Sequence, residues 1–265
     1  MGARKTSLSV SAFTLDGTNL LANLTSASFS IDGKTVDGAG LADAFQDLLW
    51  TGGKRTGTFS INHWTSGAPS TNLSVTAWSI GGSSLLGDLQ SGSLNIANPI
   101  KDVSGYSDVW EYPQAMRGRA WTLQGSLFVP EATTRHMLIE KAMSATPADH
   151  YLASIITVGA DTFEATMVLN NATHSVASGE PQNLSVNMGS KGTPISSGTG
   201  IYAVIGSGDA LLSLVLDTEA GQYGTGGAAL VGVVTSLDMK FEKNAVVSSN
   251  ITMEIQGSPT VTASS

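Results

Sequence analysis

The chain has 265 residues, of which 13% are charged and none is Cys, and it carries 30 Gly. That length buries a core without covalent staples, and the lack of thiols excludes a disulfide framework and any Cys-ligated metal site. A formal net charge of −8 argues against a surface that grips nucleic acid through its phosphates.

In chain order, the basic N-terminal stretch MGARKTSLSVSAF is followed by no apolar run of signal-peptide length, and nowhere is there one long enough to span a bilayer. The expectation is a soluble chain with no membrane partner. Gly2 and Thr6 fit a myristoylation pattern too short and common to carry weight. The informative feature comes next. Ser7 to Ile31 (SLSVSAFTLDGTNLLANLTSASFSI) is written again, without a gap, as Asn72 to Ile96 (NLSVTAWSIGGSSLLGDLQSGSLNI). The two agree at Leu8/Leu73, Val10/Val75, Gly17/Gly82, Leu20/Leu85, Leu24/Leu89 and Ile31/Ile96 among others, and Phe13 faces Trp78. Agreement this dense reads as an internal duplication.

Within each copy apolar and hydroxyl residues alternate, as in Leu8, Val10, Ala12 against Ser7, Ser9, Ser11, which is the pattern of a half-buried strand. Asp16-Gly17 and Gly81-Gly82 supply the tight turns. Each copy then runs through a long loop, 32–54 or 97–118, into a returning strand, Arg55 to Trp64 or Arg119 to Val129. In the first loop Leu41, Phe45, Leu48 and Leu49 fall at helical spacing, which predicts a short helix over 41–50. The second carries Trp110, Tyr112 and Pro113 beside Arg117 and Arg119; aromatics next to arginine compose a contact surface, or else they cover one end of a sheet.

Pro130 opens a predicted helix over 131–145, and Pro147 closes it. Strand grammar resumes with YLASIITVG, TFEATMVLN and NLSVNMG, then ALLSLVLD, LVGVVTSLDMKFEKN and NITMEIQGS. Thr235 to Met239 faintly echoes Thr25 to Phe29. The pattern predicts an all-β fold of β-sandwich or partial-barrel units with internal duplication. One division is a lobe over 1–130, a helical linker over 131–146 and a second β lobe over 147–265; the alternative is one continuous domain.

No constellation for catalysis or cofactor binding stands out. His63, His136, His150 and His174 are scattered singly, the nucleophile elbow GxSxG is absent, and Glu111, Glu164, Glu180, Asp209 and Glu219 have no context that marks an acid and base pair. Gly198-Thr199-Gly200-Ile201-Tyr202-Ala203 matches GxGxxA but lacks the strand before and helix after that a dinucleotide site needs. Sequons at Asn23, Asn72, Asn171, Asn183 and Asn250 follow from the Ser and Thr content. The expectation is a protein that is not an enzyme, with no cofactor and no metal.

The segment LLANLTSASFSIDGKTVDGAGLADAFQDLLWTGGKRTGTFSINHW resembles the opening of a tailed-bacteriophage tail tube protein, with a strand, a loop and a basic-leading strand of alternating Thr and Phe. LLGDLQSGSLNIANPIKDVSGYSDVWEYPQAMRGRAWTLQGSLFV is similar to the same pattern, so the resemblance covers residues 6 to 130. It implies a structural virion protein, a β-sandwich subunit joined to its neighbours in rings that stack into a hollow tube through which DNA passes as non-specific cargo. The implied partners are further copies, three or six per ring, and other tail proteins such as a tape measure. The implied place is the virion tail, after synthesis in the host cytoplasm. Candidate inter-subunit contacts are Phe45, Trp50, Lys54, Arg55, Trp110, Tyr112, Arg117 and Arg119. The alternative, from the Ser/Thr/Gly-rich strands and the Trp110/Tyr112 pair, is a carbohydrate- or surface-binding β-sandwich module.

Overall fold

The computed structural model describes residues 10–15, 17–19, 21, 24–33, 35–37, 48–50, 54–64, 75–116, 118–128, 132–159, 161–179, 182–198, 211–218, 221–224, 230–242 and 245–263. The first strands are β1 Val10–Leu15, β2 Thr18–Asn19, β3 Leu24–Asp32, β4 Thr35–Asp37, β5 Leu48–Trp50 and β6 Thr56–Trp64. Next come β7 Val75–Ile80, β8 Ser83–Ser84, β9 Leu89–Ala97, β10 Ile100–Asp102, β11 Pro113–Ala115 and β12 Ala120–Phe128. Helix α1 Ala132–Met143 follows. The last group is β13 Tyr151–Val158, β14 Asp161–Ser175, β15 Asn183–Ser197, β16 Leu211–Thr218, β17 Gly221–Gly224, β18 Leu230–Glu242, β19 Ser248–Ile255 and β20 Thr260–Ala263. The protein is all-β with one α-helix among the described residues, as the alternation predicts.

Most strands join one antiparallel sheet, while β4-β5 and β10-β11 form separate two-stranded ladders. Two paths through the large sheet have the same order: β1-β16-β18-β19-β6-β3, and β7-β13-β14-β15-β12-β9. Their registers match residue for residue. Leu24 pairs with His63 and, after a one-residue bulge, Ser26 pairs with Asn62. In the other path Leu89 pairs with Leu127 and, after the same bulge, Ser91 pairs with Ser126. Bulges also coincide between Val234 and Ser236 on β18 and between Leu169 and Asn171 on β14. A bulge leaves one residue out of the ladder and bends its strand, so matching bulges mean matching curvature. The paths meet where β9 pairs with the C-terminal half of β18, Ser236 opposite Ala97 through Glu242 opposite Ser91.

A cut at residues 131–146 runs across both paths. β13, β14 and β15 pair with β7 and β12 from before the helix, and β16 and β19 pair with β1 and β6. The helix predicted over 131–145 is present as α1, with Leu138 buried. The helix predicted over 41–50 is corrected in part: Leu48–Trp50 is a strand paired with Thr35–Asp37, and the rest of that span lies outside the described residues. Pairing with a neighbouring segment satisfies the same backbone groups a helix would and overrides apolar spacing.

The core lies on one side of the curved sheet. Trp78 on β7 packs edge-on to Phe241 on β18 with centroids 6.0 Å apart, so the two paths share it. Trp121 meets Phe163 at 5.6 Å and Phe13 stacks on Phe59 at 6.5 Å. Two glycines opposite one another in the β9-β12 ladder, Gly92 and Gly125, make room for the largest rings. A Cβ on Gly92 would lie 2.3 Å from Phe241, and one on Gly125 would lie 2.2 Å from Trp78.

Candidate assembly face and sheet edges

Strands β3-β6-β19-β18-β9-β12-β15-β14 are hydrogen-bonded neighbours in one continuous run. Period-two alternation turns Phe59, Ile61, Ile251, Met253, Leu237, Met239, Leu94, Ile96, Leu123, Leu127, Leu184 and Val186 to the core. The other face then has to be what the alternate positions supply. Those are Ser28 and Ser30, Ser60 and Asn62, Asn250 and Thr252, Ser93 and Asn95, Thr122, Gln124 and Ser126, Ser185 and Asn187, then Asn171 and Thr173, none of them buried. The face is a carpet of hydroxyls and amides. They bond to one another, with Asn62 Nδ2 donating to Ser26 Oγ at 2.9 Å and Ser126 Oγ donating to Asn183 Oδ1 at 3.0 Å. A depression of about 600 Å³ lies along it between β18 and β14. Charged groups here include Asp32, Asp238, Glu242 and Glu254, and Lys240 sits between Asp238 and Glu242 on the same side of β18.

The run ends in edges that nothing among the described residues pairs. β3 is bonded along its β6 side only. β13 covers β14 only as far as Val168 and His150 Nδ1 meets Leu169 O at 3.2 Å, so Asn171–Ser175 has no strand on its outer side among the described residues. Exposed edges in monomeric proteins are blunted by lysine, proline, inward charge, bulges or a covering helix or loop, and of these β3 and β14 each carry a bulge. Here β3 reads LTSASFSID, with its single charge at the last position. Two large apolar side chains stand exposed at these edges, Ile31 at 51% and Val176, one residue beyond β14, at 66%.

The loop residues nominated from sequence fall into three groups. Lys54, Arg55, Trp110 and Tyr112 are brought together within the chain. Arg55 forms a parallel bridge with Trp110, and its guanidinium lies 5.9 Å from the ring centroid. Lys54 Nζ reaches Asp102 Oδ2 at 3.3 Å and Ser104 O at 3.1 Å. Arg119 is half-buried just before β12. Trp50 is placed in β5 by its backbone, whereas Phe45 and Arg117 lie outside the described residues. Lys54, Arg55 and Trp110 fasten one loop to the other, and Tyr112 N–H bonds to Asp102 within the second.

Sequence reasoning missed Asp102, Ser104 and Glu254 and weighed Glu111 only as an acid without context, because isolated polar residues carry no pattern. Partial desolvation pushes the Asp102 carboxyl up, but hydrogen bonds from the Ser104 hydroxyl and N–H, from Tyr112 N–H and from Lys54 outweigh it and hold it well below the usual carboxylate range. Thr56 Oγ1 donates to Glu111 at 2.9 Å. Glu254 is the opposite case: desolvation first, then the neighbouring charges of Glu111 and Asp102, raise its pKa. A raised folded-state pKa gives stability that is full below the unfolded value and lost as pH rises through the folded one. Glu254→Gln is therefore expected to raise the thermal midpoint near pH 7 and to lose that advantage near pH 3, below the ordinary glutamate value, where both states are protonated. Equal midpoint differences at the two pH values would show that charge repulsion is not the cause.

No group of three or more His, Asp or Glu among the described residues is arranged to hold a metal ion, and no helix there is long and apolar enough to cross a membrane. The fold and the face define an all-β protein with a polar sheet surface rich in hydroxyls and amides, and with strand edges that no other strand among the described residues pairs. No family model matches the chain, and no curated protein matches it. Among solved structures it is similar to a chain in the virion of a native gene transfer agent particle, with 10% identity and a TM-score of 0.35 over 42% of this chain and 85% of that one. It is also similar to a chain in the tail of an empty gene transfer agent particle, with 12% identity and a TM-score of 0.34 over 42% of this chain and 82% of that one.

Proposed function

We propose that this chain is a structural virion protein that polymerises into stacked rings, forming the hollow tail tube through which DNA passes. The observation that carries the reading is the polar face whose strand run ends, among the described residues, in β3 and the last part of β14 with no strand paired on their outer sides. Open backbone edges are a liability in a monomer and the joining device in an assembly. A channel for DNA must not hold it. Phosphate binding draws its strength from lysine and arginine through counter-ion release, and a wall of Ser, Thr, Asn and Gln with a few acids supplies almost none of that. Lys240, flanked by Asp238 and Glu242, is screened by both.

In this reading the two matching paths are an internal duplication, and each path fills one position in the ring. Three chains then do the work of six single-unit subunits. The same reading places the protein in the virion tail, with further copies and other tail proteins as its partners, DNA as transient cargo, and no catalytic role. Negative-stain electron microscopy of the concentrated protein tests it. Annular particles or stacked-ring tubes with a stain-filled centre are expected. Uniform monomers over a wide concentration range would overturn the proposal.

A further inference from the structure

The joint between the two paths is a template for the joint between chains. Inside the chain, the end strand β9 of one path lies against the C-terminal half of β18 in the other, with Leu237 opposite Ile96, Asp238 opposite Asn95, Lys240 opposite Ser93 and Phe241 opposite Gly92. By register, β3 is the counterpart of β9. β14 is the counterpart of β18, since each follows its own bulge and pairs with corresponding positions of β15 and β19. The half of β18 that β9 covers, Ser236–Glu242, corresponds to residues 171–177, and over Asn171–Ser175 β14 has no strand on its outer side among the described residues. Among the described residues, each copy therefore has one end strand and one receiving edge that no strand pairs, of the kinds already joined inside it.

We propose that β3 of one copy pairs antiparallel with the edge formed by Asn171–Val176 at the end of β14 in the next, in the register of the internal joint. This rests on the ring reading above and names its contact. Transposed, Ile31 lies opposite Ala172, Ser30 opposite Thr173, Ser28 opposite Ser175 and Ala27 opposite Val176.

Two observations independent of the strand order support this register. The first is burial. Ile31 and Val176, exposed at 51% and 66%, are the counterparts of Ile96 and Phe241, buried at 0% and 1% where the internal joint is made. Apolar side chains left wet at the transposed positions are what an unfilled copy of that joint leaves behind. The volumes also trade: Phe241 covers Gly92 inside the chain, whereas the smaller Val176 would meet the larger Ala27.

The second is a carbonyl. Inside the chain Asn98 Nδ2 donates to Val234 O at 2.9 Å beside the bulge of β18. The counterpart of Asn98 is Gly33, which has no side chain to do this. The counterpart carbonyl, Leu169 O, is instead met by His150 Nδ1 of its own chain at 3.2 Å. The pairing sets no like charges opposite one another. Because β3 and β14 stand at opposite ends of one strand run, the contact is head-to-tail, and such contacts close into a ring when the rotation permits.

The absence of any native Cys makes the test clean. In the double variant Ser30→Cys/Thr173→Cys, oxidation under assembly conditions is expected to give a ladder of covalent oligomers on a non-reducing gel. A mixture of the two single variants should stop at dimers. Ser26→Cys/Thr173→Cys, about 13 Å out of register at roughly 3.3 Å per residue, should give none. Ile31→Lys should shift the protein to monomers with an unchanged circular dichroism spectrum. Rings or tubes by microscopy without the Ser30/Thr173 cross-link would overturn this contact and leave the tube reading standing. A failure of all variants and of the parent chain to associate would overturn both.

Discussion

Trp78→Ala is expected to cost about 3–5 kcal/mol of folding stability, read from chemical denaturation curves, because its ring holds both strand paths at once. The side chain belongs to β7, is 1% exposed, and meets Phe241 of β18 in the other path at 6.0 Å. Truncation leaves a cavity between β12 and β18 that rigid, fully paired strands cannot close. Trp78→Phe should cost far less. It keeps an aromatic ring at the place that its counterpart Phe13 fills in the first path, and it deletes an indole N–H that has no hydrogen-bond partner there. A loss below about 1 kcal/mol for Trp78→Ala would mean that the two paths do not share this core.

The second large effect is at Gly125, where even one methyl group is too many. A Cβ there would lie 2.2 Å from the Trp78 ring, and the neighbours are packed, so Gly125→Ala is expected to destabilise by about 1–3 kcal/mol through overpacking. The register supplies the remedy. The counterparts of Trp78 and Gly125 are Phe13 and Ile61, a smaller ring with a larger neighbour, both buried at 0%. Gly125→Ala combined with Trp78→Phe should therefore be more stable than the sum of the single effects predicts, by about 0.5–3 kcal/mol in a double-mutant cycle. Strict additivity would show that ring and glycine do not share one space.

Much of the fold was legible because it is written in period two. Alternation in Ser7–Ile31 and Asn72–Ile96 located strands β1, β3, β7 and β9, but the hairpin expected to join the two long strands of each stretch does not form: β1 pairs with β2 and β16 and β3 with β6, while β7 pairs with β8 and β13 and β9 with β12 and β18. The correspondence of β13–β15 with β16, β18 and β19 was not legible. Those strands share register and bulges but few residues, because a ladder is specified by which positions face inward and not by which apolar residue does so. The echo of Thr25–Phe29 in Thr235–Met239 pointed to the wrong counterpart. It lies on β18, whose register partner is β14. The short helix over 41–50 failed at Leu48–Trp50 because apolar spacing does not see a partner strand.

The candidate site was legible only as composition. Ser, Thr and Asn are plentiful enough to look like background, and it takes the pleat to sort them onto one face and the topology to lay that face across strands from both ends of the chain. The arginine-flanked aromatics were the more conspicuous signal. Arg55 and Trp110 nonetheless fasten two loops of one chain together, which a sequence cannot distinguish from a surface offered to a partner.

The central claim is that copies meet edge to edge, with the hydroxyl and amide face turned to a common channel. A cryo-electron microscopy reconstruction of the assembled protein tests it most directly. The account predicts three chains per ring, β3 of each in ladder contact with β14 of the next, and Ser93, Gln124 and Asn187 facing the bore. A ring whose bore is lined by another surface, with β3 left in solvent, would contradict it.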